Sequence, residues 1–265
     1  MTNRIGVIGA GVMGEALIAA LIRSGHNPGD IVFAEKREER SAELVARYAI
    51  SHQPISQVGS ESSVILLVVK PQDLNATLEG LTPHLNAEAL IISFAAGKTI
   101  ASITSQLPAN NPVIRVMPNT PALLGLGASG YSYGAGVNDS QKKFVAQFLA
   151  ATGKAVEVPE NLQDAVTATS GSGPAYFFRF VEAMVEGAVA LGLSPEDAHT
   201  LTVQTIVGAA ALLDQSGDSP ATLREKVTSP NGTTAAALAS FNESDISTIV
   251  SKAMAAAAHR SQELA

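Results

Sequence analysis

The chain has 265 residues, no cysteine and a net charge of -7. The acidic balance argues against nucleic acid or an anionic membrane as partner, and the missing cysteines exclude disulfides and thiolate chemistry. With 46% hydrophobic and 15% charged residues a sizeable core can form, which excludes extended disorder.

The N-terminal stretch "MTNRIGVIGAGVMG" has one basic residue and then a glycine-rich turn, where a secretory leader would carry an unbroken apolar core. It reads as part of the fold. No apolar run is long enough to span a membrane, so the expected setting is the cytoplasm. Apolar runs then follow as "RIGVIG", "DIVFAE", "SVILLVVK", "ALIISFAAG" and "PVIRVMP". Between them lie segments of helical spacing such as "GEALIAALIRSG" and "REERSAELVARYA". This alternation predicts a Rossmann-type, doubly wound, mostly parallel sheet, with strands covered on both faces. "GASGYSYGAG" and "GKAVEVPE" read as later edge strands flanking the helix "SQKKFVAQFLAATG".

Beyond about residue 160 strand signals stop. "PAYFFRFVEAMVEGAVALGL" is apolar almost all round, as for a helix buried in a core or a subunit interface. The next helix has Ser194 as N-cap, Pro195 at its first position, Asp197 at the positive dipole end and Gly217 past its end. A short helix "SPATLREKV", a turn leading into an Ala-rich helix, and a last helix from about Asp245 complete the chain. The expected domains are 1–160, nucleotide-binding, and 161–265, all-helical.

Gly9, Gly11 and Gly14 form G-x-G-x-x-G between a strand and a helix. Gly9 permits the tight turn, Gly11 lets the backbone approach a pyrophosphate, and Gly14 allows close helix–strand packing. Val12 and Met13 belong to the same phosphate-binding turn. A turn without ligand is the bland alternative. Glu35 ends the second strand, where an acid accepts hydrogen bonds from the adenosine ribose and favours NAD. Lys36, Arg37 and Arg40 follow at once and suit a 2′-phosphate, hence NADP. The mixed-charge run also reads as only a solvated helix start with internal ion pairs, and the residues themselves leave the choice open. Lys70 and Pro71 stand at a strand's carboxyl edge, where Lys70 either touches the cofactor or is an ordinary surface lysine. In "MPNTP" two prolines stiffen the segment around Asn119, which either holds polar groups near a nicotinamide or is a common loop composition.

Together with "SGSGPAYFF" (170–178) and "VTSPNGTT" (227–234), these motifs carry a resemblance. The chain resembles the pyrroline-5-carboxylate reductase family over essentially its whole length, with "RVMPNTPALLGLG", "SGSGPAYFF" and the Thr-Ser-Pro turn as the specific segments. The resemblance implies NADPH, or NADH, as cofactor, with 1-pyrroline-5-carboxylate reduced to L-proline. It implies a helical dimerisation domain, and a substrate turn facing the cofactor of the other subunit. Ser229, Gly232, Thr233 and neighbouring N–H groups would hold the substrate carboxylate, and Thr234 would hydrogen-bond the ring nitrogen as the catalytic hydroxyl, whereas the stretch alone reads Thr233 or Thr234 as only an N-cap. The family turn usually reads Thr-Ser-Pro-Gly-Gly-Thr-Thr, and here Asn231 replaces the first glycine. Asn best tolerates a left-handed backbone among non-glycine residues, so the turn is expected to survive. Alternatively, the added side chain narrows the site.

Other candidates carry less. The five histidines have no metal-ligand spacing, and no metal is expected. Ser170 and Ser172 lack a nearby histidine. Glu182 and Glu186, one turn apart, read as facing solvent or a partner subunit. Related β-hydroxyacid dehydrogenases use a lysine on the helix after the domain junction, whereas no lysine lies between Lys154 and Lys226 here. A reductase of another small imino or hydroxy acid and a non-catalytic dinucleotide-binding protein remain as alternatives.

Overall fold

The computed structural model describes residues 4–108 and 111–264. The chain runs β1 (Ile5–Ile8), α1 (Val12–Arg23), β2 (Ile31–Ala34), α2 (Glu38–Tyr48), β3 (Ser51–His52), α3 (Ile55–Glu61), β4 (Val64–Leu67) and α4 (Leu74–Leu81). It continues with β5 (Leu90–Ser93), α5 (Ile100–Thr104), β6 (Val113–Met117), β7 (Gly127–Tyr133), α6 (Asp139–Ala150), β8 (Gly153–Glu157) and α7 (Gln163–Val166).

The strands form one sheet in the order β3-β2-β1-β4-β5-β6-β7-β8. From β3 to β6 all pairs are parallel. The strand order reverses about β1, so a crevice opens at the carboxyl ends of β1 and β4, where open α/β sheets take their ligands. Alternation explains the continuously apolar runs. Val7, Phe33, Leu66 and Ile92 enter the core on one face, while Ile8, Val32, Ile65 and Ile91 enter that on the other.

One strand expectation changes, and one strand was not foreseen. β7 is not an edge strand, because it lies between β6, to which it is antiparallel, and β8. The short link after Met117 returns the chain directly beside β6, which only an antiparallel neighbour allows. The two-residue β3 is exposed and left no apolar signal in the sequence.

The helical part comprises α8 (Gly173–Ala190), α9 (Pro195–Gln215), α10 (Pro220–Lys226), α11 (Thr233–Glu243) and α12 (Ile246–Glu263). Ser194 caps α9 by accepting the Asp197 N–H at 3.1 Å, and Gly217 takes φ 73 just past its end. The compact units divide after Pro174, and the stretch from Ala256 onward belongs with the first, which differs from the expected 1–160 and 161–265. Long-range contacts explain the difference. Gln163 donates to Ser132 Oγ at 2.9 Å, and Ser261 donates to Asp164 Oδ1 at 2.6 Å.

Within 175–255 only Ala198 and Thr202 are buried. Phe177 and Phe178 are each 62% exposed and Leu191 90%. This unit therefore lacks an apolar core of its own in a single chain, and its faces need a cover. Among the described residues no helix is long and apolar enough to cross a membrane.

Candidate active site

The glycine turn shows why each glycine stands where it does. Gly9 takes φ 90, and a Cβ there would lie 2.5 Å from the carbonyl oxygen of Val68, just past the end of the neighbouring strand β4. A Cβ on Gly14 would lie 2.2 Å from the Gly9 carbonyl oxygen, so α1 sits against its own entry turn only without a side chain. Gly11 has nothing within 4 Å and is the N-cap of α1, which no side chain caps. The helix start of α1 is thus uncapped by any side chain and the space beside Gly11 is open, as an anion site requires. Val12 is 61% exposed there, while Met13 packs against the core.

At the end of β2, Glu35 is held inward. Its carboxylate accepts the Ala10 N–H, the Arg37 N–H and Arg37 Nε, each at 3.1 Å. Burial works to raise its pKa, but the Arg37 and Ala10 hydrogen bonds outweigh burial and hold it below the usual carboxylate range. Lys36 and Arg37 are exposed. Arg40 is not. It ion-pairs with Glu15 and with Glu43, so it stands apart from the exposed pair suited to a 2′-phosphate.

Glu15 also accepts from Arg47 and from the Tyr48 hydroxyl. Burial again pushes upward, yet these partners keep Glu15 below its ordinary 4.5. A lowered folded pKa stabilises fully above the unfolded value and is lost as pH falls through the folded one. Wild-type stability is therefore expected to decline as pH drops below about 4.5, whereas Glu15→Gln should be less stable at neutral pH and lose less on acidification. Urea midpoints measured against pH check this; parallel curves would exclude Glu15 from the acid response.

Lys70 follows β4 by three positions and is exposed; Pro71 opens the next turn. Asn119, after β6, is 8% exposed. Its side chain accepts the Ala128 N–H at 2.9 Å and donates to the Ser170 carbonyl at 3.1 Å. It thereby fastens "MPNTP" to "SGSG", a role no local pattern announces. The "SGSG" segment leaves α7 through a π-helical turn, Thr167–Gly171. The glycine turn, Glu35, Lys70 and Asn119 all follow carboxyl ends of parallel strands. A cavity of about 1020 Å³ between Arg4, Glu61, Asn86 and Phe144 opens at the opposite, amino edge.

In the helical unit, the Gly232 N–H donates to the Ser229 carbonyl at 3.0 Å, closing a tight turn. Asn231 takes φ 60, the left-handed conformation that a glycine would supply and asparagine tolerates. Gly232 is the N-cap of α11, with no side-chain cap, so neither Thr233 nor Thr234 is the capping residue. Ser229 and Thr233 are exposed and Thr234 half-buried. The turn offers hydroxyls and helix-start N–H groups and no charge. Among the described residues no cluster of His, Asp and Glu is arranged for a metal.

A family model described as Pyrroline-5-carboxylate reductase dimerisation matches residues 160–264, and one described as NADP oxidoreductase coenzyme F420-dependent matches 4–97. The pyrroline-5-carboxylate reductase of Pseudomonas aeruginosa is 44% identical over 266 residues, covering 100% of this chain and 97% of that one. The chain belongs to the pyrroline-5-carboxylate reductase family. The structure of such a reductase from Coxiella burnetii superposes with TM-score 0.91 at 33% identity, covering 100% of this chain and 99% of that one. A Plasmodium falciparum pyrroline carboxylate reductase, crystallised with NADP bound, gives TM-score 0.89 at 28% identity, covering 100% and 99%. The coreless helical unit, 175–255, lies within the segment matched by the dimerisation model.

Proposed function

We propose that the protein reduces the C=N bond of 1-pyrroline-5-carboxylate, with NADPH as donor, to give L-proline. The observation that carries this reading is the uncharged turn ahead of α11, held by left-handed Asn231 and leaving the helix start uncapped. Ser229, Gly232 and Thr233 suit a small carboxylate, because helix-start N–H groups bind anions without a charged side chain. Thr234, in the first helical turn, would meet the ring nitrogen with a hydroxyl that donates or accepts. NADPH supplies the hydride. When the imine arrives protonated, reduction yields a neutral amine, and no strong base is required of the chain. Its work is to orient the imine carbon and exclude water.

For the cofactor we assign Gly9, Gly11, Val12, Met13 and Gly14 to the pyrophosphate. Glu35, Lys36 and Arg37 take the adenosine ribose side, and Lys70, Pro71 and Asn119 the edge nearer the nicotinamide. The exposed Lys36 and Arg37 favour NADPH over NADH. Self-association as a dimer, or an assembly of dimers, would bury the aromatic face of α8, and we place the reaction in the cytoplasm.

The test is direct: enzyme, NADPH or NADH, and racemic pyrroline-5-carboxylate, following nicotinamide absorbance and proline. Cofactor oxidation with proline formed supports the assignment. Turnover only on another imino or hydroxy acid, or tight binding without turnover, overturns it. Asn231→Gly is expected to keep or raise activity in the same assay, since it restores the residue that φ 60 favours. A large loss would show that the asparagine amide itself acts.

A further inference from the structure

The glycine turn has a feature that its three glycines do not explain. Both polar atoms of Ala10 are gripped by charged side chains from beyond β2. Its N–H donates to Glu35 Oε2 at 3.1 Å, and its carbonyl accepts from Arg40 Nε at 3.1 Å. Arg40 is itself anchored through its remaining nitrogens. One donates to Glu43 Oε2 at 2.6 Å and another to Glu15, which also accepts the Tyr48 hydroxyl at 2.9 Å. The side chains of Arg40, Glu15 and Glu35 are 14%, 11% and 9% exposed, against 64% for Arg37.

The geometry has a mechanical consequence. A peptide is planar, so fixing one carbonyl fixes the N–H on its other side. Arg40 on the Ala10 carbonyl therefore aims the Gly11 N–H, and Glu35 on the Ala10 N–H fixes the preceding peptide. Ala10 is flanked by Gly9 and Gly11, the residues that permit peptide reorientation at least cost. A turn built this way needs outside contacts to hold one orientation.

We propose that Arg40 positions the pyrophosphate turn through the Ala10 carbonyl, that Glu35, beside its place on the adenosine ribose side, positions it through the Ala10 N–H, and that selection of the 2′-phosphate falls to Arg37 and Lys36. This rests on the nucleotide-binding reading above and divides the basic run by role. Arg40 acts on what every dinucleotide shares, Arg37 only on what NADPH adds.

Calorimetric titration of the full-length protein with NADPH and with NADH separates the roles, and its stoichiometry counts folded sites. Arg40→Gln is expected to weaken both nucleotides by the same factor, about tenfold, leaving their ratio unchanged. Arg37→Gln should weaken NADPH alone. Glu35→Ala should weaken both, and Glu35→Gln, which keeps an acceptor for the Ala10 N–H, should recover NADH affinity. Loss of NADPH alone in Arg40→Gln would make Arg40 a phosphate ligand and overturn the proposal, as would wild-type affinities in Arg40→Gln and Glu35→Ala. Failure of the unmutated protein to bind either nucleotide would instead overturn the underlying cofactor assignment, and this proposal with it.

Discussion

Gly11→Ala is expected to fold like the unmutated chain and to lose dinucleotide affinity by about a hundredfold, ~2.7 kcal/mol. A Cβ at Gly11 meets no atom within 4 Å, and its φ of -65 is open to any residue. The added methyl therefore costs the protein little by itself. It stands where, in the proposed site, the pyrophosphate approaches the backbone. Gly14→Ala is expected to fail differently. Its Cβ would come 2.2 Å from the Gly9 carbonyl oxygen, so α1 must move off its entry turn, and stability falls along with affinity. Thermal melting and nucleotide titration on the two variants read these effects separately. Unimpaired binding by Gly11→Ala would place the phosphates elsewhere.

Thr234→Ala should lower kcat by about tenfold or more, ~1.4 kcal/mol, the worth of one hydrogen bond strengthened in the transition state. Folding should not suffer. Thr234 lies in the first turn of α11, is only half-buried and does not cap the helix, and alanine is the better helix former. Thr234→Ser keeps the hydroxyl and should recover most of the rate. Steady-state kinetics beside melting curves give the answer, and unchanged kcat in a folded Thr234→Ala would remove this hydroxyl from the chemistry.

Much of the site was legible because its parts are local. The glycine spacing, the strand before it and the helix after it lie within one short stretch, and each glycine's steric need follows from that geometry. The same holds for Ser194 capping α9 and for Asn231, whose φ of 60 is what substitution of a turn glycine by asparagine predicts. Arg40 was misleading for the opposite reason. In sequence it is one more cation beside Lys36 and Arg37. Only packing of α2 against α1 brings Glu15, 25 residues earlier, within reach and takes Arg40 out of the exposed set. Asn119 is similar, since its partner Ser170 lies 51 residues on.

By itself the sequence determined the alternating strands and helices, the glycine turn and the change to an all-helical half, each of which rests on backbone preferences and apolar periodicity within a few residues. The family motifs were legible as a resemblance. The tertiary structure alone decided that β7 lies inside the sheet, that the segments around Asp164 and Ser261 join the nucleotide unit, and which charges are consumed internally. Those outcomes depend on contacts between residues far apart in the chain, and a side chain's partners there are set by how layers pack, which no local pattern encodes.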